Sequence, residues 1–365
     1  MNIYAKRVTT MNKKTIAIIF GGVSSEHDIS CISAKSIIKN MNYDKYNVVL
    51  IGITKDGKWY IYNDNVDLLP EDKWTLSPNI VPAFICPDAG VHGIITSNGD
   101  IIRLDVAFPV LHGKNGEDGT IQGLLQLAQI PYVGCDATSS GVCMDKAVAN
   151  AVADAFDIPQ AKWCAISEYE YRSNGEEALK TAEDKLGYPI FVKPANAGSS
   201  VGISKAHNID ELKNAMEVAF REDKKAVLEE FIDGHEVECA VMGNNIPVAG
   251  EVGEIVAAAE FYDFDAKYNN PQSELHIPAL IPEEKRAEVK ELAVKAFKAL
   301  GCEGMSRVDF FVRKSDDKVL LNEINTIPGQ TDISMYPKLF EAVGVSYKSL
   351  IENLIEFAIQ RGGKI

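Results

Sequence analysis

An α/β fold of more than one domain is predicted by three features of this chain. A continuous apolar run, Thr15-Ile-Ala-Ile-Ile-Phe, of the kind buried in a parallel sheet, stops at Gly21-Gly-Val-Ser-Ser-Glu. Helical periodicity then runs through Ile29, Ile32, Ser33 and Ile37. Strand, glycine turn, helix and strand in succession make the rhythm of an open doubly wound sheet, where ligands bind beyond the carboxyl ends of the strands. Finally, 365 residues exceed one ordinary domain, so two or three are expected.

Composition narrows the class. A hydrophobic content of 46% with 24% charged residues is that of a soluble globular chain with a sizeable core. The formal net charge of −15 argues against a nucleic-acid backbone or an anionic membrane surface as partner. Seven cysteines, with no C-x-x-C or Cys/His ligand spacing, read as buried thiols in a reducing cytosol. No apolar run approaches a membrane span. Residues 1–12 are polar, lack the apolar stretch of a signal peptide, and read as a disordered lead-in to a cytoplasmic protein.

In chain order, Asn47–Ile53 and Leu104–Leu111 are predicted as further strands of the first domain, with a hairpin and loops around Trp59 and Trp74 between them. A helix is expected to open at Thr120. Beyond Pro131-Tyr-Val-Gly the texture changes: Cys143–Phe156 reads as one helix, Pro189–Pro194 as a strand, Asp210–Arg221 as a helix, and Ala226–Ile232 as a strand stopping at Asp233-Gly. Strands from His235 to Ile255 lead to a polar loop, Glu260–Glu274. An amphipathic helix, Glu283–Leu300, stops at Gly301. A hairpin and two closing helices, about 336–342 and 347–361, complete the chain.

Three constellations carry chemistry. Met305-Ser-Arg-Val-Asp-Phe-Phe-Val-Arg and Val319-Leu-Leu-Asn-Glu-Ile-Asn are the two strands of that hairpin. Period-2 placement puts Arg307 and Asp309 on one face of the first, and Glu323 and Asn325 on one face of the second, with Leu321 extending that face. Hard oxygen donors gathered in this way suit Mg²⁺; a solvated edge hairpin is the bland alternative. Lys193-Pro-Ala-Asn-Ala-Gly-Ser-Ser-Val-Gly is a strand end followed by a small-residue loop, whose N–H groups and Ser199 and Ser200 hydroxyls can fold over phosphates beside Lys193. An acidic chain can thus still bind ATP where its few cations are focused in a cleft. His112-Gly-Lys-Asn-Gly-Glu-Asp-Gly-Thr-Ile-Gln-Gly, directly after a strand, is a tight loop placed for ligand contact. Lys146, read alone, is a solvated helix residue. Glu229, Glu230 and Glu236 flank the Asp233-Gly turn, and Tyr268 lies in a polar loop long enough to be a lid.

Together with Gly21-Gly-Val-Ser-Ser-Glu-His, Met144-Asp-Lys and Asn322-Glu-Ile-Asn-Thr-Ile-Pro-Gly, these motifs resemble those of the D-alanine–D-alanine ligases of the ATP-grasp superfamily, in the family's order, from about Lys13 onward. The resemblance implies three domains. An N-terminal Rossmann-like (pre-ATP-grasp) substrate domain, 13–135, precedes an ATP-grasp core of two α+β subdomains, 136–233 and 234–365, the latter with a lid loop at 259–280. It further implies ATP held by Lys146, Lys193, Ser199, Ser200, Glu229, Glu230, Ile232 and Glu236. Asp309, Glu323 and Asn325 would hold two Mg²⁺, with Mn²⁺ as a substitute.

The implied reaction joins two D-alanine molecules through an acyl phosphate, for peptidoglycan precursors, in a cytoplasmic homodimer. Glu26 would bind the first ammonium, with His112 near the carboxylate. Glu26, Ser199 and Tyr268 would shut the lid, and Arg307 with the N–H of Gly329 would stabilise the oxyanion. Lys267, Ser334 and Met335 are the remaining substrate positions. Tyr268 and Met335 stand where D-lactate and D-serine ligases tend to carry His and Arg, which favours D-alanine. The wording of the His112 loop nevertheless resembles a subgroup of D-serine ligases, so a D-alanine–D-serine ligase, linked to antibiotic resistance, is the alternative. Another ATP-grasp carboxylate–amine ligase and a regulatory nucleotide-binding module are the more distant ones. Asp332 and Ile333 depart from the small or aromatic residues frequent in the family before Ser334.

Overall fold

The computed structural model describes residues 13–198, 201–256 and 274–362, arranged around three sheets. The first contains β1 (Lys14–Gly21), β2 (Tyr46–Ile53), β3 (Trp59–Tyr62), β4 (Ile80–Ile85), β5 (Gly93–Thr96), β6 (Ile101–Arg103) and β7 (Val106–Pro109), in the order β6-β5-β4-β3-β2-β1-β7. The apolar run Ile16–Phe20 lies in β1, paired on both sides by β2 and β7, and is wholly buried, as expected of a strand covered on both faces. Only β2, β1 and β7 are parallel; the rest pair antiparallel, so the doubly wound part is confined to three strands. Helix α1 (His27–Asn40) follows β1 and buries Ile29, Ala34, Ile37 and Ile38. The predicted strand Leu104–Leu111 shortens to β7, and its last residues bend into the His112 loop, which feeds α2 (Thr120–Leu127).

The predicted helix Cys143–Phe156 is two helices, α3 (Ala137–Met144) and α4 (Lys146–Ala155). Asp145 breaks it: its backbone is extended, and its carboxylate accepts from the N–H groups of Ala147 and Val148. An aspartate that caps a helix competes with the helix before it. Next come β8 (Trp163–Ser167), α5 (Glu168–Leu186), β9 (Ile190–Pro194), β10 (Ser204–Ala206), α6 (Ile209–Glu222) and β11 (Lys225–Glu230), forming an antiparallel sheet β10-β9-β11-β8. No apolar periodicity announces α5, which is strongly polar, kinks at Asn174 and buries only Leu179, Ala182 and Leu186.

The third sheet, β14-β13-β12-β15-β16, is antiparallel throughout. It comprises β12 (Gly234–Gly243), β13 (Val248–Val256), β14 (Glu274–His276), β15 (Gly304–Arg313) and β16 (Val319–Asn325). The strand β14 occupies part of the expected lid loop; residues 257–273 lie outside the described residues, as do the lead-in 1–12 and the tail 363–365. Helix α7 (Glu283–Ala299) presses Val289, Ala293, Ala296 and Phe297 onto the face carrying Val237, Val241, Val308, Phe310 and Val312. Helices α8 (Met335–Glu341) and α9 (Tyr347–Gly362) cover one end of the opposite face, and the other end is left for a site. All seven cysteines carry free thiols and six are buried. Among the described residues no helix is long and apolar enough to cross a membrane.

Candidate active site

Opposite residues of antiparallel strands share a face, so the register of the third sheet builds the site in rows. One row runs Glu323–Asp309–Glu238–Gly253 across β16, β15, β12 and β13. The next runs Asn325–Arg307–Ala240. Arg307 forks onto Asp309, donating from Nε at 2.8 Å and from a terminal nitrogen at 2.6 Å, and its Nε lies 3.0 Å from Glu238. Burial alone would lower the Arg307 pKa, but Asp309 and Glu238 outweigh it and hold the guanidinium well above its ordinary value. Asn325 donates to Asp309 at 3.0 Å.

Leu321 does not extend this face. A β-bulge between Asp309 and Phe310 inserts Asn322 into β16, so Leu321 pairs with Phe310 and joins the apolar core under α7. The extra residue is used: Lys193 Nζ donates to the Asn322 side chain at 3.2 Å and to Glu229 at 2.6 Å. Burial disfavours the Lys193 ammonium, yet Glu229 and the charges of Glu323 and Glu236 more than offset it, so its pKa is raised. Lys146 is not a solvated helix residue. As the first residue after the Asp145 cap it points inward, donating to the Ala197 carbonyl at 2.8 Å and lying 3.7 Å from Glu323. Glu230 accepts from the Lys162 N–H at 2.8 Å, and Ile232 and Glu236 line the same wall.

From the first domain, Glu26 enters at the start of α1. Its carboxylate lies so close to Gly113 and Gly198 that a Cβ there would approach within 2.4 Å and 2.9 Å. Gly113 also holds φ +70, so glycine is required on both counts. His112 is buried, with its ring nitrogens 3.1 Å from the Ser33 hydroxyl and 3.0 Å from the Ile327 carbonyl. It ties the loop to the segment after β16 rather than lining the cleft. Its neighbour Glu117, 3.6 Å away, does line it. Burial raises the Glu117 pKa, and the Glu26 charge adds to the shift.

Gly329 sits beside the Ser334 hydroxyl, which accepts from the Thr331 N–H at 3.0 Å. Ser334 and Met335 fall outside the cleft lining; the Met335 methyl lies on Gly253, where a Cβ would meet it at 2.2 Å, and so closes the carboxylate row. Ser199, Ser200, Lys267 and Tyr268 lie outside the described residues.

These groups enclose a cleft of about 610 Å³ between the second and third sheets, reaching Glu26 and Glu117 at one end. Its described lining holds eight carboxylates (Glu26, Glu117, Glu229, Glu230, Glu236, Glu238, Asp309, Glu323) against three cations (Lys146, Lys193, Arg307). Apolar walls come from Met144, Phe191, Phe231 and Ile232, with Phe191 and Phe231 stacked at 6.0 Å. Sequence reasoning missed Glu117, Glu238 and Asn322. Glu238 had a signal, since Glu236-Val-Glu is the same period-2 placement that revealed Asp309. The carboxylate of Glu117 was inside a quoted motif but unassigned.

Two family models match almost the whole chain: the D-ala D-ala ligase N-terminus over residues 15–135 and the D-ala D-ala ligase C-terminus over residues 152–356. A D-alanine–D-alanine ligase of Acetivibrio thermocellus is 50% identical over 96% of this chain and 97% of its own. One from Clostridium novyi is 49% identical over 96% and 100%. Among solved structures, the VanG D-Ala:D-Ser ligase of Enterococcus faecalis superposes with TM-score 0.88 at 41% identity, covering 95% of this chain and 100% of that one. The D-alanine–D-alanine ligase of Coxiella burnetii gives 0.84 at 36%, covering 96% and 97%. Matches that run end to end, on a chain whose three sheets meet at one acid-rich cleft, leave a single assignment: the chain belongs to the D-alanine–D-alanine ligase family.

Proposed function

We propose that the cleft joins two D-alanine molecules at the expense of ATP, by way of an acyl phosphate, as a step of peptidoglycan precursor synthesis. The carrying observation is the charge of the described lining, eight carboxylates facing three cations. A polyphosphate entering such a cleft is repelled unless divalent cations accompany it. The row of Asp309, Glu323 and Asn325, all oxygen donors, fits Mg²⁺ or Mn²⁺ and lacks the sulfur or imidazole a softer ion prefers. These three residues would hold two such ions, and the ions would offset charge on the transferring phosphoryl group.

The remaining work falls to the chain. Lys146 and Lys193 are placed for the nucleotide phosphates, and Lys193 is held cationic by the acids around it. Glu229, Glu230 and Ile232 form the adenine side, Glu236 the ribose side, and Ser199 and Ser200 are assigned to the loop over the phosphates. Glu26 receives the first substrate's ammonium while Glu117 beside it can hold a proton. Arg307 and the Gly329 N–H stabilise the oxyanion formed when the second amine attacks. Glu26, Ser199 and Tyr268 are assigned to lid closure over both substrates, which excludes water from the acyl phosphate, and Lys267 to substrate binding. The same reading divides the chain at 135/136 and 233/234, with lid loop 259–280, and takes it as a cytoplasmic homodimer.

Glu117→Gln tests the acid end. A carboxyl raised by burial binds a proton in the folded state that the unfolded chain has released, so its contribution is lost as pH rises through the folded value. The variant should match the parent below about pH 4 and melt higher than it near about pH 8; parallel melting curves at both ends would show Glu117 to be unstrained.

Product analysis with ATP and Mg²⁺, with D-alanine competing against D-serine and D-lactate, tests the reading as a whole; absence of any D-alanyl product overturns it. The likeness to the VanG structure favours D-serine as the second reading, and a dominant D-alanyl-D-serine product would establish it. Met335→Arg bears on the choice. An arginine there passes over Gly253 toward Glu238, about 5 Å across the strand pair, so both kcat and the D-Ala/D-Ser ratio should change, the ratio by about 10-fold. An unaltered ratio would separate position 335 from the second substrate.

A further inference from the structure

We propose that the chain carries a separate site for one Zn²⁺-like ion, formed by His27, Cys31 and Asp72 behind the Glu26 end of the cleft. His27 and Cys31 stand four apart on α1, which stacks them on one helix face. Asp72 comes from the short 3₁₀ segment Pro70–Leu76 that packs against that face. One ligand atom of each lies within 4.8 Å of the others, and His27 Nε2 is 2.8 Å from Asp72 Oδ1. A four-coordinate ion with bonds of about 2.0–2.3 Å fits such a triangle, with water in the fourth position. The set of thiolate, imidazole and carboxylate selects Zn²⁺ or Co²⁺ rather than Mg²⁺.

Two independent observations point to a ligand. His27 Nδ1 lies 2.7 Å from the Gly22 carbonyl; donating there, it leaves the Nε2 lone pair facing Cys31 and Asp72, the outer hydrogen bond that orients metal-bound histidines. The indole N–H of Trp74, a fully buried side chain, has no acceptor at hydrogen-bonding geometry, and the group it faces is the Cys31 sulfur. A metal-bound thiolate is the stronger acceptor for that N–H, whereas a neutral core thiol beside a His27–Asp72 ion pair accepts only weakly. Lys55 engages Asp28 at 2.9 Å and the other Asp72 oxygen at 3.8 Å, so Oδ1 remains for the ion. The side chain of Asp72 is 26% exposed, which gives the ion a way in. Binding displaces the thiol proton and any proton on Nε2, and the thiolate and carboxylate balance the dication. Filled, the site clamps Pro70–Leu76 to α1 one residue past Glu26.

Co²⁺ titrated into the full chain, with a phosphine reductant and excess Mg²⁺ to fill the oxygen site, tests this by absorbance. One equivalent should bring up a thiolate-to-cobalt charge-transfer band, and Zn²⁺ should abolish the band and raise Tm. Cys31→Ser should remove both effects, and Asp72→Asn and His27→Gln should weaken binding by more than the roughly 10–100-fold that loss of an outer partner costs. Absence of the band in the parent chain, or its survival in Cys31→Ser (which would assign it to the separate thiol cluster Cys135, Cys143 and Cys302), overturns the proposal. Should His27→Gln fail to fold, Cys31→Ser, nearly isosteric, and Asp72→Asn decide the question.

Discussion

Glu323→Gln is expected to abolish turnover at low millimolar Mg²⁺ while leaving the fold intact. Glu323 stands directly across from Asp309, at the open end of the carboxylate row, with Lys146 at 3.7 Å. It is more than a third exposed, so the amide replaces it without burying an unpaired group. What is lost is one anion of the set proposed to hold the cations. Several kcal/mol of charge stabilisation at the transferring phosphoryl group are at stake, which is about 10³-fold in kcat at 1.36 kcal/mol per decade. Turnover against Mg²⁺ concentration, beside a melting curve, is the measurement, and partial rescue at high Mg²⁺ is expected. A near-normal kcat would take Glu323 out of the metal site.

Arg307→Lys should lower kcat by about 10²–10³, the usual cost of removing one oxyanion donor, with a smaller change in KM for D-alanine. Lysine keeps the charge but not the fork that Arg307 lays on Asp309 and Glu238. Two buried carboxylates then share one ammonium, so Tm should fall as well. Glu238→Gln separates the two roles: it keeps Arg307 but removes one of its anchors, and should cost less stability and less kcat than Arg307→Lys. If Arg307→Lys melts early yet turns over within a few-fold of the parent, the guanidinium is a strut between strands and not a donor to the reaction.

Much of this was legible in the sequence because period 2 and the register of an antiparallel pair are local facts. Arg307 and Asp309, Glu323 and Asn325 could be placed on a face from spacing alone, and the pairing of β15 with β16 brought those faces together. The bulge at Asn322 was not legible, because it depends on how β16 meets its partner, and it moved Leu321 to the core side. Nor was the break at Asp145: alanine-rich flanks favour a continuous helix, and the capping carboxylate is also held by Lys225 of β11, at 2.5 Å, a contact distant in sequence. That break is what turns Lys146 inward. Helix α5 carried too little apolar periodicity to be seen, and Trp59 and Trp74, read as part of a hairpin and loops, divide between β3, which does pair antiparallel, and a buried position against Phe20.

The segment after β16 has a mechanical consequence. Gln330 donates its N–H to the Ser33 hydroxyl, Asp332 accepts from Ser36 at 2.6 Å, and Tyr347 donates to the Gln330 carbonyl at 2.7 Å. The first and third sheets also share one apolar core, whereas the second has its own. The cores therefore divide the three sheets into two packed units, one holding the amino-acid end and the other carrying Lys193 and Glu229, and the second unit is expected to move as the jaw. Nucleotide entry should swing the moving jaw while the Ser33–Gln330 spacing stays constant.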